Sequence, residues 1–351
     1  FIIKNCYICY MKKINVVVAG ATGYIGLELV KIIVKHPYIN VKHLCANKSV
    51  GKKIGTFDKS LKKFSKLPKI SNIKKVNLKN IDVIFAALPN GEAQLISKKL
   101  NEKVLLIDLS ADFRIKNANI FKKYYNMEHG AKKLIKKSVY SVPELIDKKI
   151  DKYKIISCPG CYPTSIQLPL VPLLQKKMIK SKNIIVDSKS GYSGAGKNLN
   201  KKFKFKNIYE SISAYGVQNH RHLSEINQEF NRILKKKIFI TFIPHLSPMF
   251  RGILSTIYVD LSKGQTINKL QNYLKKYYKK NYFIKINKLN KNIGTGNIMN
   301  TNFCSISVCK NINDNKAIII CAIDNLIKGG SGQAVQNFNL FYGFNETLGF
   351  K

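Results

Sequence analysis

The sequence predicts an α/β protein in which a doubly wound parallel sheet is followed by an α+β domain with a mixed sheet. Three observations predict it. Short apolar runs alternate with helical stretches up to residue 109, and a glycine-rich turn separates the first run from the first helix. After Cys161 the apolar runs lengthen and fewer helices intervene. Alternating strands and helices build Rossmann-type parallel sheets, whereas successive strands favour mixed sheets.

The predicted strands of the first half are short and rich in β-branched residues. Residues 14–19 form such a run, which ends at a glycine as a buried parallel strand does. Further strands are predicted at 41–46, 83–87 and 104–109, and helices at 26–34 and 92–100.

The second half carries strand-like runs with fewer helices between them. The predicted strands lie at 184–186, 238–243, 254–260, 303–309 and 317–323. A closing helix at 332–341 is apolar on one face, so we expect it to return and pack on the first domain.

Domain boundaries are predicted from this change of pattern. Residues 1–10 precede Met11 and are interpreted as an upstream extension, with Met11 as the natural start. Residues 11–160 together with 330–351 form the predicted dinucleotide-binding domain. Residues 161–329 form the second domain, which is expected to bind substrate, carry out catalysis and oligomerise.

The 351 residues carry a formal net charge of +42. The excess is lysine spread along the chain, and no basic stripe combines with aromatic residues in a nucleic-acid-binding motif, so specific nucleic-acid binding is not expected. No apolar run reaches the roughly 20 residues that span a bilayer, so no membrane association is expected. The eight cysteines indicate neither a disulfide framework nor a metal site, which predicts a cytoplasmic protein.

A glycine trio predicts a dinucleotide site. Gly20, Gly23 and Gly26 follow a strand and open a helix, where a pyrophosphate binds the helix N-terminus. An NAD site usually has an acidic residue near the end of the second strand. No acidic residue lies between Glu28 and Asp58, so the sequence favours NADP. The predicted cofactor-binding residues here are Gly20, Thr22, Gly23, Tyr24, Ile25, Gly26 and Ser49.

A cysteine at a strand–turn–helix junction predicts nucleophilic chemistry. Residues 159–164 read Pro-Gly-Cys-Tyr-Pro-Thr, so Cys161 opens a helix. The positive end of a helix dipole lowers a thiol pKa and favours the thiolate that attacks carbonyl carbon. Cys158 stands three residues earlier, and we state a reversible Cys158–Cys161 disulfide as a hypothesis. A thioredoxin-like motif is the alternative for this pair.

The positions of arginine are informative, because lysine is the basic residue almost everywhere else in the chain. The chain has four arginines, and Arg114, Arg221 and Arg251 lie in motif-like segments. A guanidinium binds carboxylate or phosphate through two parallel hydrogen bonds, which an ammonium cannot do. Arg114 and Arg251 are therefore candidate anion anchors, with an interdomain salt bridge as the alternative for each.

Taken together, the motifs resemble the N-acetyl-γ-glutamyl-phosphate reductases, from Met11 to the end of the chain. The segments that carry the resemblance are 20–26, 108–114, 159–164, 191–197, 220–225, 244–252 and 324–337. The resemblance implies NADPH-dependent reduction of N-acetyl-γ-glutamyl phosphate to N-acetyl-L-glutamate 5-semialdehyde in arginine biosynthesis, and a homodimer or homotetramer. Aspartate-semialdehyde dehydrogenase and carrier-linked aminoadipyl- or glutamyl-phosphate reductase stay as alternatives.

The resemblance also implies roles for individual residues. Cys161 forms a thioester and His220 is the acid/base, while His222 and Glu225 are alternative acid/base or orienting residues. We expect His220 and His222 to point opposite ways, as alternate residues of an extended segment do. The predicted substrate-binding residues are Arg114, Ser190, Gly191, Lys197 and Arg251. Asn325 and Gln333, with Asn337 one turn later, are placed near the nicotinamide; ordinary helix capping is the alternative.

Overall fold

The computed structural model describes residues 12–146, 149–197, 209–235, 237–238 and 240–350. These residues form two seven-stranded sheets, one entirely parallel and one mixed. The predicted fold class is therefore confirmed. The interpretation of residues 1–10 as an extension, and of Met11 as the start, lies outside the described residues.

The first sheet has the strand order β3-β2-β1-β4-β5-β7-β6, and every pair in it is parallel. The order reverses beside β1, which is the arrangement of a doubly wound sheet. The strands are β1 (Ile14–Ala19), β2 (Ile39–Cys45), β3 (Ile70–Ser71), β4 (Val83–Ala86), β5 (Leu105–Asp108), β6 (Ser138–Tyr140) and β7 (Ile155–Ser157).

Helices cover both faces of the first sheet. On one face, Leu29 of α1 (Tyr24–Ile33) and Phe338 of α7 (Gly332–Phe341) share an apolar cluster with strand residues. On the other face, Ala93 of α2 (Glu92–Ser97) contributes to a separate cluster. A further helix is α3 (Ala118–Tyr125). The expected return of the closing helix is thus confirmed, while the domain boundaries stay predictions.

The second sheet has the order β12-β13-β14-β11-β8-β10-β9. Its strands are β8 (Ile184–Gly191), β9 (Ser213–Ala214), β10 (Ile240–Ser247), β11 (Ile253–Asp260), β12 (Ile284–Ile286), β13 (Cys304–Lys310) and β14 (Lys316–Ile323). Strand β8 is five residues longer than the predicted 184–186, because Asp187 and Lys189 alternate outward along one face while their neighbours stay buried. Polar outward residues end an apolar run without ending a strand.

Three helices cover one face of the second sheet. They are α4 (Cys161–Gln175), α5 (His222–Leu234) and α6 (Ile267–Tyr277), and they share one large apolar cluster with the inward strand residues. The opposite face is open, with Ile185 and Tyr258 about two-fifths exposed. No helix within the described ranges is long and apolar enough to cross a membrane.

The two domains meet where β7 leads through a three-residue turn into α4. The carboxyl ends of the parallel strands therefore face the second domain, which is where ligands bind in open α/β sheets. The turn contains Cys158, Pro159 and Gly160, and Cys161 follows it.

Candidate active site

Cys161 lies at the start of α4, with Gly160 as the N-cap residue. Its side chain is partly exposed. Two glycines allow close approach here: a Cβ at Gly160 would lie 2.4 Å from His222 Nε2, and a Cβ at Gly329 would lie 2.6 Å from Cys161 Cβ. The nucleophile turn, the histidine and the segment around Gly329 are consequently in direct contact.

A buried carboxylate fixes the turn that precedes Cys161. Glu225 of α5 is fully buried. Its Oε2 accepts the Gly160 N–H at 2.9 Å and the Tyr140 hydroxyl at 3.3 Å, and its Oε1 accepts Arg114 Nη1 at 3.1 Å. A carboxylate removed from water needs such partners, since an unpaired buried charge is strongly destabilising. The backbone one residue before the thiol is therefore held by an ion pair.

Arg114 directs its remaining donors to the backbone of the first domain. Its Nε donates to Cys158 O at 2.8 Å, and Nη2 donates to Leu109 O at 3.1 Å. The guanidinium thus joins two strand ends of the first sheet to Glu225 in the second domain. This is the interdomain salt bridge that the sequence left as an alternative, and substrate binding by Arg114 stays a prediction.

Burial raises the pKa of the Cys161 thiol to about 11, although the positive charges of Arg114 and Arg221 act in the opposite direction. The expectation that the helix start holds this pKa below its ordinary value is therefore wrong for the present structure. The thiol is protonated at neutral pH, and its attack on a carbonyl needs a proton acceptor close by.

His220 and His222 have their ring centroids 4.8 Å apart, with the rings edge to face. The expectation that they point opposite ways is wrong, because Arg221 between them has helical backbone angles and His222 opens α5. The His222 N–H donates to His220 Nδ1 at 3.2 Å, which leaves the His220 ring proton on Nε2. His222 Nε2 lies 3.8 Å from Glu225 Oε1, and no hydrogen-bond partner of its Nδ1 is found among the described residues.

Both histidines are neutral at physiological pH. Burial, assisted by the charge of Arg221, lowers the pKa of His220 to about 4. Burial also holds the pKa of His222 well below its ordinary value. A neutral imidazole can accept a proton at a ring nitrogen that does not already accept a hydrogen bond.

Arg251 joins the second domain to α1. Its Nη2 donates to Glu28 Oε1 at 2.6 Å, and Nη1 donates to Asp324 Oδ2 at 3.1 Å. Gly191 packs directly beneath it, since a Cβ there would lie 2.7 Å from the Arg251 backbone nitrogen. Ser190 next to Gly191 is buried. These residues line the domain boundary, and their substrate contacts stay predictions.

The polar residues that the resemblance places near the nicotinamide make internal contacts. Asn325 accepts the Gly252 N–H at 2.7 Å and donates to Ser193 Oγ at 3.0 Å. Gln333 donates through Nε2 to Thr164 Oγ1 at 3.0 Å, in the first turn of α4. Gln333 Oε1 is buried without a partner in the described part of the chain, so one acceptor remains available for a ligand donor.

Cys158 and Asn337 form a contact of their own. Asn337 Nδ2 lies 3.7 Å from Cys158 Sγ. Burial raises the pKa of the Cys158 thiol to about 12, which disfavours the thiolate needed for disulfide exchange. All six cysteines that the structure describes are free, so the Cys158–Cys161 disulfide stays a hypothesis.

The glycine loop has the close packing that a dinucleotide cradle requires. Gly20 has φ +86°, and a Cβ there would lie 2.0 Å from Ala87 O. A Cβ at Gly26 would lie 2.1 Å from Gly20 O. Gly23 caps α1 without a side-chain hydrogen bond, and the first turn holds no acidic residue. The helix N-terminus therefore remains open to an anion.

Two further contacts close around this loop. Lys197 Nζ donates to Thr22 O at 2.6 Å and lies 5.3 Å from the centre of the Tyr24 ring. A Cβ at Gly330 would lie 3.5 Å from Ile25 Cδ1. Lys197 thus contacts the glycine loop in this structure, and its predicted substrate role is untested.

Sequence reasoning missed several residues of this region. Tyr140, Glu144 and Lys328 are buried beside the site, and Gly329 contacts the nucleophile. Lys328 lies in the segment 324–337, but the many lysines of the chain give no sign in the sequence that this one is buried. Within the described ranges no group of three or more His, Cys, Asp or Glu side chains could hold a metal ion.

Comparison with known proteins first defines the class. A family model described as the semialdehyde dehydrogenase NAD binding domain matches residues 15–153, and one described as the semialdehyde dehydrogenase dimerisation domain matches 161–325. Aspartate semialdehyde dehydrogenase II from Vibrio cholerae is similar in structure, with a TM-score of 0.70, 17% identity, and 95% and 99% of the two chains covered. The enzyme with NADP from Candida albicans has a TM-score of 0.70 at 15% identity, covering 94% and 99%. The fold is that of the semialdehyde dehydrogenases.

Sequence relatives define the family within that class. N-acetyl-gamma-glutamyl-phosphate reductase from Ehrlichia canis is 40% identical, covering 96% of this chain and 97% of its own. The Desulforamulus reducens protein of that name is 40% identical over 95% and 96%. A probable chloroplastic form from Arabidopsis thaliana is 40% identical over 96% and 84%. The chain belongs to the N-acetyl-γ-glutamyl-phosphate reductase family, and the resemblance stated from the motifs is confirmed.

The charges around Cys161 predict opposite effects of two substitutions. Arg114→Met removes a positive charge and should raise the Cys161 pKa above about 11, whereas Glu225→Gln removes a negative charge and should lower it. We expect shifts of about one unit each, as for charges a few ångströms from a titrating group. The measurement is the pH dependence of Cys161 alkylation by iodoacetamide, followed by mass spectrometry on folded protein.

Arg232→Met is the matched control, because Arg232 also pairs with a glutamate of α5 but is about half exposed. It should leave the alkylation profile unchanged. Shifts of the same sign in Arg114→Met and Glu225→Gln would contradict the assignment of these charges.

Proposed function

We propose that the protein reduces N-acetyl-γ-glutamyl phosphate to N-acetyl-L-glutamate 5-semialdehyde and phosphate with NADPH, the third step of arginine biosynthesis from N-acetylglutamate. The names of its relatives support this reaction. The observation that carries the proposal is the position of Cys161. It lies in contact with Gly329 on one side, and the Gly160 backbone beside it contacts His222 on the other. A nucleophile, a proton acceptor and the wall of a nucleotide site therefore meet at one turn.

The glycine loop fits a bound dinucleotide. The closely packed Gly20 and Gly26 allow a pyrophosphate to approach the open N-terminus of α1. Ser49 follows β2, where a 2′-phosphate binds, and it has no acidic neighbour in sequence. When bound, NADPH supplies the hydride that converts the Cys161 thioester to the aldehyde level. The Candida albicans neighbour contains NADP, which supports the same choice here.

Cys161 performs the covalent chemistry. Its sulfur attacks the γ-carbonyl carbon of the acyl phosphate, the S–H proton passes to an imidazole, and the bond from carbon to the phosphate oxygen breaks. The thioester that forms is reduced to a thiohemiacetal. A proton then leaves the thiohemiacetal hydroxyl, the C–S bond breaks, and the aldehyde departs as the sulfur regains a proton.

We propose His222 as the proton acceptor, although the sequence favours His220. The His222 ring contacts Gly160, the residue before the nucleophile, and its Nδ1 has no partner in the described residues. The Nδ1 of His220 already accepts a backbone N–H, so its Nε2 carries the proton and can only donate. His220 then donates to the substrate oxygen, and Glu225 orients the turn.

The substrate anions need a cation that is not already paired. Arg114 and Arg251 are engaged in interdomain ion pairs. Arg221 is exposed, lies beside the two histidines, and acts electrostatically on the Cys161 thiol. No ion pair of Arg221 is found among the described residues. We therefore propose Arg221 as the anchor for the phosphate or carboxylate of the substrate.

The family model for residues 161–325 is that of a dimerisation domain, so the chain carries a module for self-association. We propose a homodimer formed through the open face of the second sheet. Ile185 and Tyr258 are directly paired there on β8 and β11 and are about two-fifths exposed. Asp187 and His245 on the same face contact each other, with Asp187 Oδ1 3.0 Å from His245 Nδ1. A homotetramer stays a prediction, as does a cytoplasmic location.

The reverse reaction tests the proposed function directly. N-acetylglutamate 5-semialdehyde, phosphate and NADP should give NADPH, followed by its absorbance, and Cys161→Ser should abolish the signal because the serine hydroxyl is a far weaker nucleophile. Cys309→Ser is the matched control, since Cys309 lies in β13 away from the nucleophile turn. NADPH formation with aspartate semialdehyde but not with the acetylated substrate would indicate an aspartate-semialdehyde dehydrogenase. The absence of NADPH formation with either substrate would contradict the proposal.

Steady-state kinetics of single variants should distinguish the roles of His220 and His222. We expect His222→Asn to lower kcat by about 100-fold or more, the usual contribution of a general base. Its residual activity should rise with pH toward 11, where the Cys161 thiol ionises without help. His220→Asn should lower kcat less and keep the wild-type pH profile. A larger loss in His220→Asn would restore His220 as the base.

Charged substitutions on the open face of the second sheet test whether the protein dimerises through it. The double substitution Ile185→Glu and Tyr258→Glu places four carboxylates at a two-fold interface and should shift the dimer to monomer in analytical ultracentrifugation. Ile312→Glu, on a fully exposed loop residue, is the control and should leave the dimer intact. An unchanged sedimentation coefficient of the double variant would place the interface elsewhere.

A further inference from the structure

Lys328 is a charged side chain with no exposed surface. Its ammonium donates to Glu144 Oε1 and to Gln336 Oε1, the second at 2.9 Å, and lies 5.8 Å from the centre of the Phe283 ring. Glu144 is equally buried. Long charged side chains are rarely buried completely, because removal from water is costly even for a pair. None of the steps proposed for the reaction uses this pair.

The backbone that carries Lys328 is a widened helical turn. Residues Ile327–Ser331 form a π-helix immediately before α7. Its ends are bonded back to the preceding segment, with the Gly329 N–H on Asp324 O and the Ser331 N–H on Leu326 O, both at 2.9 Å. Such turns are rare and are frequent at functional sites, and they place one residue outside the regular helix spacing.

The two residues after Lys328 separate the nucleophile from the glycine loop. Gly329 contacts Cys161, and a Cβ there would lie 2.6 Å from the cysteine Cβ. Gly330 contacts Ile25 in the first turn of α1. The two glycines thus lie between Cys161, which would carry the thioester, and the first turn of α1, which would hold the dinucleotide. Their backbone would help to set the spacing between those two groups.

The partners of Lys328 come from separate parts of the fold. Glu144 follows β6 of the first sheet, and Gln336 lies one turn along α7. Gln336 Nε2 donates to Glu144 Oε1 at 2.8 Å and to Glu346 Oε2 at 2.8 Å, and its Oε1 accepts Asn302 Nδ2 at 2.8 Å. The ammonium is thus fixed from the first domain, the second domain and the chain end simultaneously.

We propose that Lys328 is a positioning residue for hydride transfer. Its buried ion pair with Glu144 holds the Gly329–Gly330 backbone against Cys161 and the glycine loop, and so sets the geometry between thioester and cofactor. This inference rests on the proposed function. It assigns to Lys328 no contact with substrate or cofactor and no exchange of protons.

Lys328 acts through geometry and not through its charge on the thiol. The charges that act on Cys161 are those of Arg114, Arg221 and Glu225. Replacing Lys328 should therefore not raise the pH midpoint of Cys161 alkylation, whereas a displaced glycine wall should slow hydride transfer. A misplacement of about 1 Å costs roughly 100-fold in rate.

The test compares Lys328→Met with the wild-type enzyme. We expect kcat to fall about 100-fold, with KM for the semialdehyde changed less than about threefold and the alkylation midpoint of Cys161 not raised. NADPH affinity, measured by nucleotide fluorescence without substrate, should weaken by about tenfold, because Gly330 supports the first turn of α1. A rise of the alkylation midpoint by more than about half a unit, as the loss of a nearby positive charge would cause, would overturn the geometric role.

A double variant separates positioning from stability. Lys328→Met leaves Glu144 buried and unpaired, so it can lose activity by unfolding; Lys328→Met with Glu144→Met removes both charges and should fold, as buried pairs replaced by apolar residues do. We expect the folded double variant to keep the loss of kcat. Recovery of full activity would show that Lys328 only neutralises Glu144, which overturns the inference.

Lys310→Met is the matched control, because Lys310 pairs with Asp314 on an exposed surface. It should change neither kcat nor NADPH affinity. Failure of this inference is distinct from failure of the proposed function. The wild-type enzyme is active on the acetylated substrate if the function is correct, and nucleotide affinity and Cys161 alkylation are measured without that substrate.

Discussion

The buried carboxylate of Glu225 is the constraint on which the site depends. It belongs to α5 of the second domain, yet its partners Arg114, Tyr140 and Gly160 belong to the first domain or to the turn that joins the two. Separation of the domains would break all three of these contacts at once, so the docked arrangement alone pairs the buried carboxylate. The backbone beside Cys161 therefore has a defined position only when the domains are docked. The geometry of the candidate site therefore depends on the domain arrangement.

Two further cationic side chains, Arg251 and Lys328, also join separate parts of the fold near the boundary between the domains. Arg251 joins α1 to the end of β14, and Lys328 joins the π-helix to the loop after β6. Buried ion pairs contribute little net stability, because desolvation offsets their attraction. They do specify orientation, since a shifted domain would break them without replacement. The protein thus uses polar contacts to fix domain position and apolar clusters within each domain to fold.

The sequence predicts the fold well because burial leaves a strong pattern in it. Continuous β-branched runs gave β1 and β4, and the glycine trio placed α1. The short strands β6 and β7 have too few residues to show any period. The orientation of His220 relative to His222 depends on the helical backbone of Arg221. The pKa of the Cys161 thiol depends on how closely neighbouring elements cover it, which local sequence does not show. Lys328 was concealed because lysine is common throughout the chain, so only burial distinguishes it.

The return of α7 to the first sheet has a consequence for biosynthesis. Val335 and Phe338 complete the apolar cluster formed by α1 and the central strands, yet they lie more than 300 residues after β1. During translation the first sheet is made early with one face covered only by α1, and α7 is added only about 300 residues after α1. An exposed parallel sheet at that stage is prone to wrong association. The dense lysine of its surface supplies like-charge repulsion that keeps such nascent chains apart.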